Sequence, residues 1–166
     1  PLKFGCRMSV TETGTDDANV FIGLSSVNSE GILLDNGGGP IGTYDGVGFF
    51  KVDSKGAGAP TLTNSWSCET SFATTQSTTE LTAANSLDKN SHISTSGTMQ
   101  ILEFLVIPTS STLMDVMFFI DNINVAKHTD VTMTTPEEMH VVLAVQTGTT
   151  ANEIITLDWC YCYQTR

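Results

Sequence analysis

Apolar and polar residues alternate with a period of two along much of this chain, which is the signature of half-buried β-strands. In residues 61–70, Leu62, Trp66 and Cys68 share one side while Ser65, Ser67 and Glu69 share the other, as in an antiparallel strand with one wet face. The closing run puts Ile155, Leu157, Trp159, Tyr161 and Tyr163 on one side, predicting a largely aromatic face packed onto a core, with Thr156, Asp158, Cys160 and Cys162 opposite. Nine strands are predicted, near residues 2–10, 20–24, 46–52, 62–72, 99–107, 113–120, 123–128, 139–145 and 154–163. Residues 99–107 are apolar at both parities, which predicts a central strand covered on both sides. Between the seventh and sixth of these runs stands Asp121-Asn122, and Asp and Asn are the non-glycine residues that best tolerate the left-handed backbone of a two-residue hairpin turn. Residues 74–96 show no sustained period and read as a long polar excursion with one helical turn near 80–85. Residues 31–43 read as a loop, and Pro136-Glu137-Glu138 as a turn.

Composition narrows this to one all-β domain. At 166 residues and 40% hydrophobic, the chain can bury a single substantial core. Thr and Ser make up about a quarter of it, and only 15% is charged, which favours strands and polar loops over helices. The net charge of −11 with seven Lys and Arg leaves no basic patch for phosphates or anionic lipid, and the apolar runs are strand length, far short of a spanning helix. Neither nucleic acid nor membrane is expected as a partner. The chain begins at Pro1 with strand-like residues at once, so residues ahead of it are expected to have been removed or left out.

The hairpin residues Phe118, Ile120-Asp121-Asn122 and Val125-Ala126-Lys127-His128-Thr129, the run from Tyr44-Asp45-Gly46 through Phe49-Phe50-Lys51-Val52-Asp53, and the closing Ile155-Thr156-Leu157-Asp158-Trp159 occur in a distinctive order. Ahead of them stand Phe4-Gly5-Cys6-Arg7-Met8-Ser9-Val10 and Asn19-Val20-Phe21-Ile22-Gly23-Leu24. Together they resemble the concanavalin-like, laminin-G-like jelly rolls encoded among the virion genes of tailed bacteriophages, over nearly the whole chain. The sequence departs from that pattern at Gly37-Gly38-Gly39-Pro40, in residues 54–65 and at Cys160-x-Cys162. The resemblance implies one antiparallel two-sheet jelly-roll sandwich over residues 1–166, with first and last strands as neighbours.

Candidate chemistry is thin. Retaining glycosidases on sandwiches of this kind carry two carboxylates about 5 Å apart in Glu-x-Asp-x-Glu or Glu-x-Asp-x-x-Glu patterns, and neither spacing occurs. Glu137 and Glu138 are adjacent and would point apart in a strand. His92, His128 and His140 stand beside no nucleophile elbow and read as surface or hydrogen-bonded histidines. Asp16, Asp17, Asp35, Asn36, Asp45 and Asp121 are the available calcium ligands, but their spacing matches no metal loop and turn chemistry accounts for them. The glycine run lacks the Lys-Ser/Thr of a phosphate loop. Tyr44 and Trp66 could stack on sugar rings, and read more simply as core. Cys6, Cys68, Cys160 and Cys162 include one close pair where zinc sites use two; free buried thiols are expected, with a bridge from Cys6 to the last strand as the alternative.

No catalytic residue, cofactor or metal ligand is therefore expected. The resemblance implies a non-enzymatic virion structural protein, a capsid decoration or cement protein on the shell exterior, with the major capsid protein and further copies of itself as partners. The acidic charge suits the outer surface, since many copies facing packed DNA would repel it. The competing expectation is a carbohydrate-binding, lectin-like module of a fibre or host-attachment protein, with a glycan as partner.

Overall fold

The computed structural model describes residues 1–12, 18–34, 38–52, 64–72, 74–133, 138–147 and 152–165; the expectations placed on Asp16, Asp17, Asp35, Asn36, Leu62 and Glu137 fall outside them. Ten strands form: β1 (Leu2–Thr11), β2 (Ala18–Ser25), β3 (Gly46–Lys51), β4 (Ser67–Phe72), β5 (Thr75–Glu80), β6 (Gln100–Pro108), β7 (Leu113–Ile120), β8 (Ile123–Thr132), β9 (His140–Thr147) and β10 (Ile154–Gln164). They make two five-stranded sheets in the orders β10-β1-β6-β7-β8 and β5-β4-β3-β2-β9, with every pairing antiparallel. The molecule is an all-β two-sheet sandwich of jelly-roll-like form. The first and last strands pair as expected, from Leu2 opposite Gln164 to Thr11 opposite Ile154.

Phenylalanines hold the sheets together. Phe4 stacks on Phe104 within the first sheet at 4.9 Å, Phe104 leans on Phe118 at 6.1 Å, and Phe118 meets Phe49 of the second sheet edge-on at 5.4 Å. All four are fully buried, and each such side chain contributes roughly 1.5–3 kcal/mol by leaving water. Trp66 and Cys68 point into this core, as their alternation predicts.

Three expectations need correction. β5 lies inside the stretch read as an excursion: its Thr-Gln-Ser-Thr-Thr-Glu sequence has no apolar side, yet it adds an edge to β4, and the helical turn follows it, with Ser86 N–H donating to Thr82 O at 2.9 Å. β6 is central, but its outward Ile101, Leu105 and Ile107 are only half-buried, because no second layer covers that face. The outward face of β4, expected to be wet, is buried throughout. Residues 26–34 and 38–45 fold back over the second sheet and bury Ile32, Leu33 and Tyr44 against Phe21, Phe50 and Val52, making a second small core.

The hairpin at Asp121-Asn122 forms as read. Asp121 and Asn122 have φ of 50° and 68°, the double left-handed conformation of a two-residue turn, and Ile120 lies opposite Ile123. Asp121 also accepts a 2.8 Å bond from Ile101 N–H through Oδ1, pinning the turn to the start of β6.

One charged pair is buried. Lys51, at the end of β3, is bonded to Glu12, which follows β1, and Glu12 Oε1 also accepts from Ala18 N–H at 3.3 Å. Three chain segments thus meet on a single carboxylate. Removing one member of such a pair strands the other charge away from water, whereas removing both does not.

Two outcomes follow for stability. Asn122→Gly should be neutral or slightly stabilising, while Asn122→Val should cost about 1 kcal/mol or more in urea denaturation, since a β-branched residue resists positive φ. Lys51→Met should cost about 3–5 kcal/mol, and adding Glu12→Leu to it should restore most of that loss. A double variant no more stable than the single one would show that the pair's charges are not what matters.

Candidate functional site

The last strand carries a β-bulge that reverses its faces. Arg7 lies opposite Trp159 and Met8 opposite Leu157, so Asp158 is the extra residue. One inserted residue inverts the side-chain alternation beyond it. Ile155 consequently packs on the core, Cys160 sits opposite the buried Cys6, and Trp159, Tyr161 and Tyr163 turn outward. The aromatic face expected to be core is on the surface. Asp158, left over by the bulge, pairs with Arg7.

Gly5 makes room for that outward row. A Cβ there would lie 2.6 Å from the Tyr161 ring, so the absence of a side chain lets Tyr161 cross β1 and donate its hydroxyl hydrogen to Glu103 on β6. Lys3 completes the cluster, 2.9 Å from Glu103 and 5.6 Å from the Tyr161 ring centre. Burial pushes the Glu103 carboxyl up, but the bonds from Lys3 and Tyr161 outweigh it and hold it below the usual carboxylate range. Trp159, Tyr161 and Tyr163 stack in sequence at 5.6 and 5.8 Å with near-parallel rings.

A second polar cluster lies at the opposite flank, where β8 meets β4 and β5 across the sandwich. His128 is buried; its Nδ1 is 2.9 Å from Thr70 Oγ1 and its Nε2 3.1 Å from Thr79 Oγ1, so one ring nitrogen donates and the other accepts. Burial lowers its pKa to about 4. The adjoining cleft, 680 Å³ in volume, is lined by threonines with Lys127 and Asp130 at its rim. A general base should titrate near the working pH and be oriented by a third group. His128 instead spends both nitrogens on hydroxyls of the facing sheet, which is the geometry of a cross-sheet tie.

A third buried group is Glu69, beneath Tyr44. It accepts from Tyr44 Oη at 2.5 Å, from Gln76 at 3.3 Å and from Thr78 at 2.7 Å. Burial raises its pKa, opposed by the bonds from Tyr44 and Thr78.

The residues singled out in the sequence scatter. Tyr44 and Trp66 are core, His92 pairs with Asp88 at 3.0 Å, and Asp121 serves its turn. The Asp45 backbone N–H donates to Ser26 Oγ at 3.0 Å, while His140 opens β9. Among the described residues no three His, Cys, Asp or Glu side chains converge as a metal site would require. The four thiols are free, Cys6 and Cys68 buried and Cys160 half-buried as thiols of a core strand would be, but Cys162 is exposed. Sequence reasoning missed the outward aromatic row; its one signal was Asp158, a charge within an otherwise uncharged strand. Comparison with protein-family models, curated proteins and solved structures gave no match.

Acid stability tests the His128 assignment. Its folded pKa lies below the ordinary 6.5, so its neutral form favours folding above pH 6.5, and that contribution is lost as pH falls toward 4, to the order of 3 kcal/mol. Glu69, raised in the fold, acts in the opposite sense, so the difference between wild type and His128→Gln is the quantity to measure. The variant should lose less stability than wild type between pH 6.5 and 4, and equal slopes would place His128 in water.

Proposed function

We propose that this chain is a non-enzymatic virion structural protein of a tailed bacteriophage, a decoration or cement protein seated on the outside of the capsid shell against the major capsid protein. The observation that carries the reading is the direction of its polar chemistry. Glu12 with Lys51, Glu69 with Tyr44, and His128 with two threonines are all turned inward and used in the fold. Of the described cations, Lys3, Arg7, Lys51 and Lys127 are in ion pairs, and Lys89 reaches the Ala84 carbonyl. What remains outward is hydroxyl-rich loop and a scatter of unclustered carboxylates such as Asp121, Asp130 and Asp158. Such surfaces bind by many small contacts with little charge desolvation, which suits lattice attachment at high copy number. The acidic total keeps decorated particles apart in solution.

The lectin-like alternative draws on the outward row of Trp159, Tyr161 and Tyr163. Sugar rings stack on aromatic faces, and these rings already stack on one another.

Purified protein mixed with empty shells of its own phage should co-sediment at saturable, lattice-scale stoichiometry, with occupancy changing little between low and high salt. Failure to bind shells, together with retention on a glycan array, would replace decoration with the carbohydrate-binding reading.

A further inference from the structure

The sandwich has four edge strands, β10 and β8 in one sheet and β5 and β9 in the other. An unpaired edge offers free N–H and C=O groups to any passing strand, and proteins blunt such edges with charges or bulges. β8 carries Lys127 and Asp130 and is bulged; β10 carries Asp158 and is bulged; β5 is polar and ends in Glu80. β9, with the sequence His-Val-Val-Leu-Ala-Val-Gln-Thr, has no Asp, Glu, Lys or Arg and pairs with β2 in an unbroken register over eight residues. Among the described strands it is the one edge free of Asp, Glu, Lys and Arg, on a molecule of net charge −11.

The flank beneath it is apolar and open. Val141, Leu143 and Val145 lie opposite core residues Leu24, Ile22 and Val20, yet Val141 is 45% and Val145 38% exposed. Across the seam between the sheets, Leu157 is 45% exposed on β10. On the other side of β9, Val142 and Ala144 line a groove of 780 Å³ whose far wall includes Leu33 and Leu34. The cleft where β5 meets β8 is lined mainly by threonines, with Phe72 and Val131 among them and Lys127 and Asp130 beside them.

We propose that β9 is the self-association edge: two copies join β9 to β9 antiparallel about a two-fold axis, fusing their second sheets into one ten-stranded sheet. The sequence of the strand selects this occupant. With the axis at Leu143, Val141 lies opposite Val145 of the second copy, Val142 opposite Ala144 of the second copy, and His140 opposite Gln146 of the second copy. Apolar residues meet apolar ones on both faces, and the polar ends meet each other, which is the self-complementarity a two-fold interface requires. A charged partner has nothing to pair with here, whereas a second copy brings its own uncharged strip and keeps its acidic surfaces away. The inference rests on the decoration reading for its purpose, namely multivalent attachment at symmetric lattice sites, and on geometry alone for its existence.

Sedimentation equilibrium across the micromolar range should give twice 17.8 kDa for the wild-type chain, with association unchanged or slightly stronger at high salt. Val145→Lys should weaken it about 100-fold or more by placing two like charges at an apolar joint, while Thr78→Lys on β5 should leave it intact. Because Val145→Lys could act by unfolding, hydrogen exchange on the wild-type protein supplies a second readout: β9 amides should be as protected as those of the central strand β3. A monomeric wild type, a dimer indifferent to Val145→Lys, or fast-exchanging β9 amides would each overturn the inference. Shell binding reads separately, since a dimer that ignores shells overturns decoration alone, and a monomer that binds them overturns only the β9 joint.

Discussion

The edge-on contact between Phe118 and Phe49 is where the two sheets become one molecule. Two sheets stack about 10 Å apart only if side chains from both inner faces interdigitate, and this pair, backed by Phe104 and Phe4, fills that layer. Everything else is placed relative to it. His128 packs its ring against Phe118 at 5.1 Å, so the polar tie to Thr70 and Thr79 is held from behind by the aromatic core. The order is physically sensible: hydrophobic burial is strong and undirected, and the few buried polar groups then fix which residue of one sheet faces which of the other.

Much of this was legible in the sequence. Asp121-Asn122 announced its hairpin because few residues accept positive φ, and here both do. Trp66 and Cys68 announced the core because alternation leaves them no other side. β5 stayed hidden, since its six residues have no apolar member and form a strand only because β4 offers an unpaired edge. Tyr44 was read as core and is buried, but the rest of the layer over the second sheet stayed hidden: Ile32 and Leu33 are too sparse to show a period, and they bury because Phe21 and Phe50 lie beneath them.

The candidate surfaces were less legible than the fold, for two separate reasons. Period-two reasoning fails past a bulge, so the assignment was right for Ile155 and inverted for Trp159, Tyr161 and Tyr163, whose row depends on Gly5 lying beneath the Tyr161 ring. His128 meets threonines 58 and 49 residues away, and no local pattern marks partners at that separation. The edge character of β9 is likewise a property of topology: its apolar sequence would suit a central strand equally well, and only the strand order leaves it without a neighbour.

The pairing of β1 with β10 has a consequence for how the chain reaches this state. Leu2 lies opposite Gln164, so β1 must wait for a strand far along the chain before its outer edge is satisfied. Such sequence-distant pairings must meet their loop-closure entropy before any contact rewards it, which makes folding slow, on a scale of milliseconds to seconds for sandwiches. During synthesis β1 can pair with β6 while its other edge stays open to strands of neighbouring chains. Completion of β10 therefore acts as a kinetic lock, and the risk of mispairing falls on the interval before β10 has joined β1.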